Sequence, residues 1–100
     1  MKLFVDDMRP FPDEIGWACS RNYREAVSVL ERHDVEYASL DYHLGAGESG
    51  LDLLEWMYDN RIRIPHINIH SSHPVGRMRM KSFIERFMPY TTVTMEPYEY

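Results

Sequence analysis

Five short runs rich in apolar and β-branched residues, each followed by a polar break, constrain this chain more than any other feature. KLFV (2–5), WACS (17–20), VEYASLD (35–41), HINIH (66–70) and TTVTM (91–95) read as strands. Three stretches between them carry apolar residues at helical spacing. Asn22-x-x-Glu25 resembles a capping box, and Tyr23, Ala26, Val27 and Leu30 follow it, which predicts a helix over 22–33. Ser49-x-x-Asp52 opens a second amphipathic segment, with Leu51, Leu54 and Tyr58 on one face beside Leu53 and Met57. Gly76 precedes a third, with Met80, Phe83, Ile84, Phe87 and Met88 on one stripe. Strands alternating with helices predict an α/β domain built on a parallel, doubly wound sheet. The first crossover breaks the pattern. Only about eleven residues join the first two strands, near the minimum for a parallel connection, and Pro10 and Pro12 forbid a regular helix there. A loop is expected in its place.

The 100 residues suffice for one domain, 1–100, with one modest core drawn from 44% apolar residues, and the 27% charged residues argue against disorder. A net charge of −5 excludes bulk nucleic-acid binding while leaving room for a small anion pocket. One cysteine, Cys19, makes no internal disulfide, and no stretch reads as a signal peptide or a membrane span. A soluble cytoplasmic domain that does not engage membranes is the expectation. Its oligomeric state is not legible.

In parallel sheets, sites gather at the carboxyl ends of the strands. Asp6 and Asp7, Asp41, and His70 all fall at such ends. Three carboxylates crowded together call for a hard cation or hydrogen-bond donors, and Mg²⁺ accepts carboxylate oxygens. The bland alternative makes one of Asp6 and Asp7 a loop cap. Zinc fits poorly. On a strand His66 and His70 stand roughly 13 Å apart and cannot chelate one ion, and a lone His70-x-x-His73 is weak evidence. His66 and Asn68 read as a partly wet sheet face opposite Ile67 and Ile69. After His70, the residues Ser71, Ser72, Gly76 and Arg77 meet the start of the last helix, where free N–H groups attract anions. Arg77 just inside that terminus is expected to fork onto a phosphate, while Arg79 and Lys81 read as a solvated face.

LFVDD with Arg9 and Pro12 following, SLDYHLG with SGLDLLEW following, and HSSHPVGRMRM together resemble the cyclic-phosphate processing receiver domain, over roughly residues 3 to 88. The resemblance implies a flavodoxin-like fold related to response-regulator receivers. It also implies an activity on cyclic phosphates such as ADP-ribose 1″,2″-cyclic phosphate. The chain departs from the family pattern at Tyr42 and His43, where members carry His then Asp, and at His73, where they carry Asn. An ordinary phospho-receiver is a poor fit. Residues 90–100 contain no Lys or Arg to contact an aspartyl phosphate, and the last receiver helix is missing.

The expected function is therefore a phosphoesterase acting on a nucleotide or ADP-ribose cyclic phosphate. His70 would activate water while His43 or His73 protonates the leaving alkoxide. Asp41 would orient an imidazole, or join Asp6 and Asp7 in holding Mg²⁺. Two rivals remain: a non-catalytic module binding a phosphorylated nucleotide or ADP-ribose derivative, and a degraded receiver acting as a protein-interaction domain through its tail EPYEY.

Overall fold

The computed structural model of the chain describes residues 1–96. Its elements are β1 (Lys2–Val5), β2 (Trp17–Ser20), α1 (Tyr23–Arg32), β3 (Tyr37–Leu40), α2 (Gly50–Asp59), β4 (His66–Ile69), α3 (Pro74–Phe87) and β5 (Thr92–Met95). The five strands form one parallel sheet in the order β2-β1-β3-β4-β5. That is the flavodoxin-like order, with its switch point between β1 and β3.

Strand parity decides which face packs. Leu3 and Val5, Ala38 and Leu40, and Ile67 and Ile69 point to one side. There they join Ala26 and Leu30 of α1, Leu53, Leu54 and Met57 of α2, and Met80 and Ile84 of α3 in one buried cluster. The alternate residues, Phe4, Trp17, Tyr37, Ser39, His66, Asn68 and Thr94, share the other side. Among the described residues no helix covers that side, which is unusual for a parallel sheet. The reason lies in the first crossover, which is the expected loop. Its Phe11 packs edge-on against Phe4 at 6.1 Å between ring centroids, and the Arg21 guanidinium lies 3.7 Å from the Phe11 ring centroid.

Local chemistry sets the helix starts. Asn22 accepts the Glu25 N–H, but Glu25 reaches back to the N–H of Arg21 rather than of Asn22, so only half of the expected box forms. Ser49 and Asp52 make the complete reciprocal box at α2. The start of α3 corrects the sequence reading. Proline is pre-set for the first helical turn, so the helix begins at Pro74, and His73 caps it by accepting the Gly76 N–H on Nδ1 at 2.8 Å. Gly76 thus lies inside the helix. A Cβ there would overlap the Tyr42 ring, so close packing explains the glycine.

No helix is long and apolar enough to cross a membrane. Of the tail EPYEY only Glu96 is described, and the remainder of that candidate partner surface lies outside the described residues.

Candidate active site

Asp6, Asp41 and His70 follow β1, β3 and β4, three adjacent parallel strands, and their side chains converge. Each offers a ligand atom within 4.8 Å of the other two. Asp6 is 2% exposed. Its Oδ1 accepts the N–H groups of Met8 at 2.8 Å and Arg9 at 2.7 Å, which folds the chain into a turn after β1. Its Oδ2 meets Nε2 of His70 at 2.8 Å. The His70 ring stacks on Phe4, 4.7 Å between centroids and 3° from parallel, and its Nδ1 lies 2.7 Å from Ser39 Oγ. Both ring nitrogens are engaged and the side chain is 0% exposed. No nitrogen is left for a water, so the expected role of His70 as general base does not suit its placement.

The two carboxylates are pushed apart. Burial alone would raise the Asp6 pKa, but the Arg9 and Met8 N–H groups and the His70 imidazole outweigh it and hold the carboxyl below its ordinary value. Asp41 moves the other way, raised first by burial and then by the Asp6 charge, with the Tyr42 N–H, the Ser71 hydroxyl and His70 opposing. Burial also lowers the His70 pKa despite the neighbouring carboxylates, which keeps the imidazole neutral at pH 7. A neutral ring that donates Nε2–H to Asp6 accepts the Ser39 O–H on Nδ1.

These groups floor a cleft of about 670 Å³ whose rim is Asp7, Met8, Arg9, His43, Ser71, Ser72, His73 and Pro74. Most of the sequence-selected residues therefore gather there, but besides His70 three more do not behave as expected. Asp7 lines the rim yet stays outside the converging trio. Gly76 spends its N–H on His73, and Arg77, 9% exposed, donates to the Glu96 carbonyl beyond β5. Neither lines the cleft, so the phosphate pocket expected from Gly76 and Arg77 is not formed by them.

The cationic side chain on the rim is Arg9 instead, 47% exposed, bound to the His70 carbonyl at 2.9 Å and paired with Glu96 at 3.2 Å. It sits in an irregular loop, where periodicity gives no signal, and only its place after the Asp pair marked it. His73 has Nδ1 committed to the helix cap, which leaves Nε2–H as a donor. Its ring stacks on Tyr42 at 4.9 Å, and His43 stands edge-on to both. Ser39 and Asn68 were also missed. Asn68, expected on a wet face, is only 8% exposed, because Ser39 on one neighbouring strand and Thr94 on the other take up its amide.

The model of one protein family, described as the cyclic-phosphate processing receiver domain, matches residues 1–86. No curated protein matches the chain.

Proposed function

The chain belongs to the cyclic-phosphate processing receiver domain family, and from that premise we propose that it is a phosphoesterase that opens a nucleotide or ADP-ribose cyclic phosphate. The observation that carries the reading is the divergence of Asp6 and Asp41 within one cleft, one pKa lowered and the other raised. Opposed shifts of this kind mark acid–base machinery. Asp41, the stronger base of the two, takes a proton from water as the water oxygen bonds to phosphorus. One endocyclic P–O bond breaks, and the departing oxygen takes a proton, giving a phosphomonoester and a free hydroxyl.

The donor of that second proton is His43, on the exposed rim. A cationic imidazolium is needed for that step, and His73 cannot carry a proton on Nδ1 while it accepts the Gly76 N–H. His73 serves as a neutral donor to a phosphoryl oxygen, beside the Ser71 and Ser72 hydroxyls and Arg9. His70 holds Asp6 and does not touch the substrate. Acid–base groups of this kind supply typically ~10²–10⁴-fold.

The donor set also fits Mg²⁺. Asp6 and Asp41 would hold it, and when bound it would offset phosphate charge. A second reading, a non-catalytic module for a phosphorylated nucleotide, is favoured by the full engagement of His70.

The test is ³¹P NMR of the protein with ADP-ribose 1″,2″-cyclic phosphate and with a 2′,3′-cyclic nucleotide, each in Mg²⁺ and in EDTA, beside Asp41→Asn. Conversion of the cyclic resonance to a monoester, lost in the variant, supports the phosphoesterase, and the EDTA lane decides the metal. An unchanged cyclic signal in every lane sinks turnover of these substrates, and tight binding without turnover establishes the second reading.

A further inference from the structure

Five hydrogen bonds run across the helix-free face of the sheet and end at Asp6. His66 Nε2 lies 2.9 Å from Thr94 Oγ1, and Thr94 Oγ1 donates to Asn68 Oδ1 at 2.8 Å. Asn68 Nδ2 donates to Ser39 Oγ at 3.3 Å, Ser39 Oγ lies 2.7 Å from His70 Nδ1, and His70 Nε2 lies 2.8 Å from Asp6 Oδ2. The polarity of the links is fixed from both ends. An ionised Asp6 only accepts, so His70 donates from Nε2 and offers a lone pair on Nδ1. The Asn68 amide donates to Ser39, so the Ser39 proton is directed to that lone pair. Each donor along the row points toward Asp6.

Ser39, His70 and Asp6 have the composition of a hydrolytic triad, yet Ser39 is 4% exposed and does not line the cleft. It cannot meet a substrate. We propose that Ser39 and Asn68 are positioning residues that lock the buried His70 ring in one orientation and in the Nε2–H tautomer. The lock keeps a neutral donor on Asp6 Oδ2 and so fixes the carboxylate that Asp41 faces. The catalytic half of this inference rests on the phosphoesterase reading, while the tautomer lock stands on the geometry alone.

Three variants separate positioning from simple packing. Asn68→Asp conserves shape but reverses the polarity, because a carboxylate accepts the Ser39 proton, and Ser39 Oγ then accepts from Nδ1 of His70. Ser39→Ala removes the link altogether, and Ser39→Thr restores the hydroxyl. The measurement is the ¹⁵N spectrum of the His70 imidazole in the full chain, together with kcat and KM on the cyclic phosphate that the wild type turns over.

The expected wild-type signature is a protonated Nε2 with an unprotonated Nδ1. In Asn68→Asp the Nδ1 signal moves to the protonated type. In Ser39→Ala kcat falls at least tenfold with KM within twofold, and Ser39→Thr recovers the wild-type spectrum and rate. A wild-type His70 protonated on Nδ1, a folded Asn68→Asp with an unchanged Nδ1 signal, or a Ser39→Ala of full kcat would each overturn the proposal. Because the spectra need no turnover, failure of the phosphoesterase reading and failure of the lock are told apart.

Discussion

Removing the Asp6 carboxylate by Asp6→Ala leaves three donors without their acceptor: the Met8 and Arg9 N–H groups and Nε2–H of His70. The loop N–H groups sit in a partly exposed turn where water replaces the carboxylate, so each loses about 0.5–1 kcal/mol. Nε2–H belongs to a side chain that is 0% exposed, and an orphaned buried donor costs roughly 1–3 kcal/mol. The expected loss is therefore about 2–5 kcal/mol, against a total of roughly 5–15 kcal/mol for a domain of this size. The variant still folds, with a Tm lower by roughly 10–25 °C. Urea unfolding followed by the fluorescence of Trp17 and Trp56 measures it, with Asp7→Ala as the control expected within ~0.5 kcal/mol of wild type. Since the folded Asp6 pKa is depressed, its contribution is whole above the ordinary value of 3.8 and is lost as the pH falls below it. A loss under ~1 kcal/mol for Asp6→Ala would refute the hydrogen-bond reasoning on which that figure rests.

Asp41→Asn should lower turnover by ~10²–10⁴-fold while unfolding no more easily than wild type, because the amide removes a charge that Asp6 repels. Paired activity and urea assays check both halves, and a destabilised variant would count against the repulsion. Gly76→Ala forces a Cβ into the Tyr42 ring and should cost about 1–3 kcal/mol in a thermal melt, whereas an unchanged melt would mean that Tyr42 yields freely. The His70 pKa is lowered on folding, so the unfolded chain binds its proton first, and stability should fall as the pH drops through the ordinary 6.5 toward the folded value. Urea midpoints at pH 7.5 and 5.5 should differ in wild type, and His70→Gln should flatten that difference. Equal wild-type midpoints would contradict the burial argument.

The strands and the crossing of their ends at Asp6, Asp41 and His70 were legible because period-2 runs and their polar stops are local signals. Ser49 and Asp52 were legible for the same reason, since a capping box is a four-residue pattern. The α3 start was not. The sequence places it three residues late, at Arg77, whereas in the fold Arg77 lies past the first turn with its N–H already bonded to the His73 carbonyl, and its side chain reaches the Glu96 carbonyl beyond β5. The role of Arg9 on the rim was not legible, although its place after the Asp pair was, because it is held by tertiary partners 61 and 87 residues away. The burial of Asn68 depends on what the neighbouring strands present at its level, and no single strand's pattern contains that information. That both imidazole nitrogens of His70 are engaged was not legible on similar grounds, since it is a property of the assembled sheet.

On the phosphoesterase reading, the helix-free face of the sheet places part of the site's chemistry outside the cleft, since Ser39, Asn68, Thr94 and His66 do not line it. His66 and Thr94 stand at the far end of the hydrogen-bonded row, joined to His70 through Asn68 and Ser39, and neither lines the cleft. Substitutions there can retune Asp6 while every side chain around the ligand keeps its identity, so rate and specificity become adjustable from different surfaces. An engineer searching for faster variants should mutate the back of the sheet before the mouth of the cleft, and a survey restricted to cleft residues will overlook that source of divergence.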